Sequence, residues 1–259
     1  MGKIRYGARS EAELEAKRSR PKLEGVWSTL LTATYETDPE TVAAVLPPPL
    51  EPGDEPLVRV TMASVELAPP MPTIGAGTFA VQARHGGTLG YYPLVMPMST
   101  EQAVVGGREI FGEPKKLADV GVTREGDAVR GWFTRMGVRF VAIEGTVIEE
   151  LPTPDDDLRV DFYFKCLPSP DGKGFDAEPS LVYCYREECT RSLSKVDGTV
   201  TLTESPYDPV ADLPVRTVRS IELARRTTTQ RGEIVERVPG EWLAPYLHQR
   251  YDDPTPPSD

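Results

Sequence analysis

Short runs rich in β-branched and aromatic side chains recur along this chain, at 26–35, 57–67, 77–84, 89–97 and 139–149, with glycine, proline or acidic residues between them. Such side chains suit a pleated, half-buried surface, so each run predicts a strand. Glu125-Gly126-Asp127 separates 119–124 from Val129 to Met136 and predicts a hairpin. Helix signals are few. Thr37-Asp38-Pro39-Glu40 opens one, with proline in its first turn, and Pro47-Pro48-Pro49 closes it; shorter ones are expected near 99–104, 209–213 and 239–248 around Trp242. Many strands and few helices predict an α+β fold built on a mostly antiparallel β cone or barrel with a few peripheral helices.

The 259 residues suit one large domain. It is expected at 23–251, after a flexible, charged arm at 1–22 and before a disordered tail at 252–259 that has nothing to bury. A net charge of −11 argues against nucleic acid, whose phosphates need a basic face. Cys166, Cys184 and Cys189 lack the spacing of a disulfide framework or a zinc site. His85 and His248 have no acidic companions at ligand spacing, so no metal is expected. Gly107 and Gly112 have the spacing of a phosphate loop, but Glu113-Pro114 stands where its Gly-Lys-Ser/Thr would be. No apolar run approaches a membrane span, and the charged N-terminus lacks a signal-peptide core. The expectation is a cytoplasmic protein without a membrane partner.

The chemistry concentrates in Gly106-Gly107-Arg108-Glu109-Ile110-Phe111-Gly112-Glu113-Pro114-Lys115-Lys116-Leu117. A free lysine titrates near about 10.4 and at neutral pH has no lone pair to offer a carbonyl. A cationic neighbour or an apolar pocket disfavours its charge and yields an amine that condenses with a ketone or oxo acid. Lys116 is the candidate neighbour for Lys115. On a strand, however, adjacent side chains point to opposite faces, which favours burial over repulsion as the activating effect. Phe79, Val81, Val95, Met96, Met98 and Ile110 are the expected apolar wall, each equally readable as plain core. Arg108 and Glu109 are expected to pair with each other or face away.

Gly107-Arg108-Glu109 followed by Pro114-Lys115-Lys116-Leu117 resembles the imine-forming segment of the acetoacetate decarboxylase family, in which activation of a lysine by a cationic neighbour is an established property. Two further blocks resemble the family in order: Val45-Leu46-Pro47 through Glu55-Pro56-Leu57-Val58-Arg59, and Asp208-Pro209-Val210-Ala211-Asp212-Leu213-Pro214-Val215, for a span of roughly 26 to 245. The resemblance implies a closed β cone with an interior site, and Lys115 as the imine lysine. The chain departs from the decarboxylase pattern at Thr61 and about Ala76, where glutamates stand in the family. It departs also at about Ser28, in place of an arginine, and at Glu113, in place of a tyrosine.

These departures favour an imine-forming lyase of the pyruvate aldolase-dehydratase or hydratase type, acting on a small 2-oxo acid and an aldehyde, with no cofactor and in a homo-oligomer. The alternatives are a β-keto acid decarboxylase or a non-catalytic binding protein of the same fold. Lys115 is the expected nucleophile. Tyr92, which matches a tyrosine of a family strand, and Glu113 are the acid/base candidates. Arg84 is the candidate carboxylate clamp, with Phe79 and Met96 as substrate contacts.

Overall fold

The structure, a computed structural model, describes residues 4–19, 26–67, 71–155 and 157–252. In chain order these form α1 (Glu11–Arg18), β1 (Ser28–Glu36), α2 (Pro39–Val45), β2 (Glu51–Pro52), β3 (Leu57–Val65), β4 (Ile74–His85), β5 (Thr88–Met98) and α3 (Glu101–Ile110). There follow β6 (Lys115–Leu117), β7 (Asp119–Glu125), β8 (Ala128–Arg135), β9 (Val138–Leu151), β10 (Asp157–Lys165), β11 (Ser180–Leu202), β12 (Thr217–Arg237) and α4 (Gly240–Leu243). The strands make one sheet in the order β10-β5-β4-β3-β1-β12-β11-β9-β8-β7, and β10 pairs with β11 as well, which closes a ring. Pairing is antiparallel apart from the β10–β5 and β5–β6 contacts.

The length of β11 lets it serve two layers. Its first part pairs with β10 in the barrel, its last part pairs with β9, and a register shift between Thr190 and Ser192 separates them. The β7–β9 layer packs on the outside of the barrel. Close approach there requires glycine: a Cβ on Gly77 would meet the Phe133 ring at 2.3 Å. Between the layers lies the core, with Leu31, Tyr35, Val58, Val60, Met62, Phe79, Val81, Phe133, Phe140 and Ile143 among its buried members. Each side chain of this size adds about 1.5–3 kcal/mol on burial.

Strand alternation sends the intervening residues inward. From β3, Arg59, Thr61, Ala63 and Val65 line an interior cavity of about 270 Å³, while Val58, Val60 and Met62 enter the core. The same parity puts Ala76, Thr78 and Ala80 of β4 in the cavity and Phe79 in the core, so the expected role of Phe79 as a substrate contact is not met. A register shift between Phe79 and Ala80 changes the parity of β5, and Tyr91, not Tyr92, shares the inward face with Met96.

Helix α2 starts where expected, with Asp38 as N-cap and Pro39 in the first turn. The described part of the expected arm, 4–19, contains α1, which has a Ser10–Glu13 capping box and buries no residue. Residues 1–3 and 20–22 of that arm lie outside the described residues, as do 253–259 of the expected tail. Asp252 is held in an ion cluster with Lys116 and Arg135, which places it with the folded part. Among the described residues, no helix is long and apolar enough to cross a membrane.

Candidate active site

The segment from α3 to β6 brings two charged side chains together. Gly112 has φ 81°, and a Cβ there would lie 2.6 Å from the Lys165 backbone, so only glycine makes this turn comfortably. The turn aims Glu113 inward, and β6 then pairs Lys115 beside Met96. Lys115 Nζ lies 2.7 Å from Glu113 Oε2, with the lysine side chain 13% exposed and the glutamate fully buried. The contact is off the hydrogen-bond line, and Oε2 has no hydrogen-bond partner. Helix α3 leaves room for the pair through Gly107, where a Cβ would come within 2.2 Å of Oε2 and 2.7 Å of Nζ.

Behind Glu113 the barrel wall carries a continuous chain of alternating charge. Arg186 donates to Glu113 Oε1 at 3.0 Å and to Asp161 at 2.5 Å; Asp161 also accepts from Arg159 at 3.2 Å. Glu188 then accepts from Arg159 at 2.9 Å and from Arg226 at 2.6 Å. Burial alone would push the Asp161 and Glu188 carboxyls up, but these arginines hold both below their ordinary values. Tyr163 donates to Asp161 at 3.3 Å and accepts from Arg186 at 2.8 Å.

Arg59 lies outside that chain. It lines the cavity, its guanidinium 5.8 Å from the centre of the Tyr91 ring, and among the described residues it makes neither an ion pair nor a hydrogen bond. Burial, helped by repulsion from Arg159, pushes it down to about 10. The Glu188 and Asp161 carboxylates, neither within ion-pair distance, offset this burial only in part, and an anionic ligand relieves the remaining cost.

Several expected site residues stand elsewhere. Tyr92 donates to Gln249 at 2.9 Å, and burial pushes its hydroxyl well above the ordinary range, so it is neither in the cavity nor suited to proton transfer. Arg84 sits at the end of β4, paired with Asp54 at 2.5 Å and donating to the Gly87 carbonyl. Lys116 points away from Lys115: it donates to Asp208 at 3.1 Å and to the Tyr207 carbonyl at 3.2 Å, and it also meets Asp252. Asp208 opens the third of the sequence blocks, and its role is to hold this outward lysine. Val81 and Val95 belong to the core and Ile110 is exposed, whereas Met96 and Met98 do line the cavity. Arg108 pairs with neither neighbour. It donates to the carbonyls of Lys115 and Arg250 and stacks on Tyr251. Arg250 in turn donates to the carbonyls of Gly112 and Phe164, so the end of the described chain straps the lysine loop down.

Arg59, Arg159, Asp161, Arg186 and Glu188 were not singled out from the sequence as site residues. Arg159-x-Asp161-x-Tyr163 and Cys184-x-Arg186-x-Glu188 place opposite charges on one face of otherwise apolar strands, and that pattern was the available signal.

Fold and site together define a class: an α+β barrel with a lysine buried in its interior against a carboxylate. The acetoacetate decarboxylase family model matches residues 9–238, and the chain belongs to that family. Its members here include an acetoacetate decarboxylase of Burkholderia vietnamiensis, 30% identical over 214 residues that span 78% of this chain and 83% of the relative. The fold is shared with an acetoacetate decarboxylase from Legionella pneumophila, at TM-score 0.73 and 21% identity over 89% of this chain and 98% of the other. It is shared also with the enduracididine biosynthesis enzyme MppR complexed with pyruvate, at TM-score 0.71 and 16% identity over 86% of this chain and 95% of that one.

Proposed function

We propose that this chain is a lyase that forms an imine between Lys115 and a small 2-oxo acid and condenses the resulting enamine with an aldehyde. The reading is carried by the unpaired Arg59 in the cavity that holds Lys115. The charge chain contains Arg226, Arg159, Arg186 and Lys115 against Glu188, Asp161 and Glu113, so it is neutral once Lys115 is a free amine. Arg59 then leaves one positive charge, which one carboxylate neutralises.

In the proposed reaction the Lys115 amine adds to the C2 carbonyl and water leaves, giving a protonated imine. Loss of a C3 proton to a base gives the enamine, whose C3 attacks the aldehyde carbon. Departure of the new hydroxyl as water, with loss of the second C3 proton, leaves a conjugated imine; hydrolysis returns the lysine and a 2-oxo-3-enoate. Glu113 Oε2, 2.7 Å from Nζ and free of hydrogen bonds, is the proton carrier at the nitrogen.

The retained carboxylate distinguishes this route from decarboxylation. An arginine that grips a carboxylate kept throughout the reaction binds ground and transition states alike. Gripping one that must leave as neutral CO2 stabilises the ground state more and slows the step. The glutamates of the decarboxylase pattern are replaced by Thr61, which hydrogen-bonds Thr32 at 3.1 Å, and by Ala76. Decarboxylation of a 3-oxo acid is the second reading, favoured by the 30% identity to the Burkholderia vietnamiensis enzyme.

Borohydride reduction with pyruvate should add the ligand mass to the Lys115 peptide, and pyruvate with an aldehyde should give a product absorbing in the near ultraviolet. Rapid CO2 release from acetoacetate without a condensation product would select the second reading. Absence of label at Lys115 would remove both.

A further inference from the structure

We infer that the oxo acid is a monocarboxylate whose other substituent is apolar, received by a hydrocarbon subsite formed by Leu30, Ala63, Val65, Ile74, Ala76 and Met98. This inference rests on the imine reading above.

Strand register locates the subsite. Arg59 is opposite Ala80, Thr61 opposite Thr78, Ala63 opposite Ala76 and Val65 opposite Ile74; on the other flank Leu30 is opposite Ala63. Lys115 is opposite Met96, and Met98, one pleat further on, is opposite Ala76. Lys115 is therefore level with the Thr61–Thr78 pair across the cavity that both line, while along β3 Arg59 lies about 7 Å to one side of Thr61 and the Ala63–Ala76 pair about 7 Å to the other. A molecule with its carboxylate on Arg59 and its carbonyl carbon on Lys115 extends its remaining group along the second direction, where the six side chains offer no hydrogen-bond donor and the Ser28 hydroxyl, opposite Val65, lies only at the far end.

Charge pairing makes the same point independently. Arg159 and Arg186, the other cavity-lining arginines, each already serve two carboxylates, and Arg226 is committed to Glu188. Arg59 is thus the one unpaired cavity-lining cation among the described residues. A second carboxylate on the ligand would be desolvated against the wall of alanine, valine, isoleucine and methionine without a cationic partner.

The test is competitive borohydride trapping on the intact chain with pyruvate, 2-oxobutanoate, 2-oxopentanoate and 2-oxoglutarate. Half-saturation should tighten about fourfold per added methylene. The value for 2-oxoglutarate should be at least about tenfold weaker than that for pyruvate. Ile74→Lys, which adds a cation at the end of the wall, should raise the 2-oxoglutarate to 2-oxopentanoate trapping ratio by about tenfold or more. Equal trapping of 2-oxoglutarate and 2-oxopentanoate by the unmodified protein, or an unchanged ratio in soluble, folded Ile74→Lys, would overturn the subsite.

Failure of the imine reading is distinguishable, because then none of the oxo acids labels Lys115. In that event calorimetry with saturated carboxylates of increasing chain length still reads the wall: progressive tightening supports it, and length-independent binding overturns it.

Discussion

On the inner face of β6 a lysine meets one carboxylate oxygen that has no other partner; on the outer face its neighbour meets two carboxylates and a carbonyl. Both ammonium groups are largely buried, so burial by itself does not separate them. Completeness of pairing does. Lys116 shares Asp208 and Asp252 with Arg135 and is fully engaged by them, whereas Lys115 lines the barrel cavity and meets a carboxylate oxygen that has no hydrogen-bond partner. One lysine joins the barrel to its outer layer and C-terminal segment. The other is left incompletely satisfied, which is the condition that the proposed imine chemistry requires.

The comparison breaks first at Lys115. Lys115→Ala should abolish borohydride labelling and lower turnover by at least about 10³-fold, measured by mass spectrometry and condensation assay. Persistent turnover would mean that the inner face is as inert as the outer one.

Glu113→Gln keeps the shape and removes the proton carrier, and should slow turnover by about 10²- to 10⁴-fold. Labelling by prolonged incubation should survive. An unaltered rate would reduce Glu113 to a structural partner of Arg186.

Lys116→Met tests the outer face. It leaves Asp208 with Arg135 alone and should cost about 3 kcal/mol in urea unfolding, while the pH profile of trapping moves by less than about one unit. A larger movement of that profile with little loss of stability would reverse the roles assigned to the two faces.

The smallest effect concerns acid. Asp161 and Glu188 are held below their ordinary values in the folded chain, so their contribution is complete above the unfolded carboxylate range and is lost as pH falls below that range and through the lower folded values. The unfolding midpoint should hold from pH 7 to about 5 and decline below about 4. Asp161→Asn should flatten the decline. A fall already under way between pH 7 and 5 would show that other groups govern it.

Strands β1, β3, β4, β5 and β9 and the β7–β8 hairpin were readable because β-branched and aromatic side chains cluster there between turn residues. The 23-residue β11 and 21-residue β12 were not, because Arg186, Glu188 and Arg226 point into the barrel and put charge where the pattern calls for an apolar residue. In the site, Lys115 and Glu113 were legible from local order. Arg59 stood in a quoted block but carried no sign of its isolation, which depends on partners from β10 and β11 being committed to one another. Tyr92 was misplaced by a single register shift in β5, since one added residue exchanges the faces of everything beyond it.

The strap formed by Arg250 and Asp252 has a consequence for the timing of synthesis. Barrel strands end at Arg237, yet the carbonyls of Gly112 and Phe164 accept from Arg250, and Lys116, already held by Asp208 and the Tyr207 carbonyl, gains Asp252 as a further partner. During translation, β1 through β12 can therefore pair while the lysine loop still lacks its anchor. The loop that carries Lys115 thus receives its last anchor only after every barrel strand has been made.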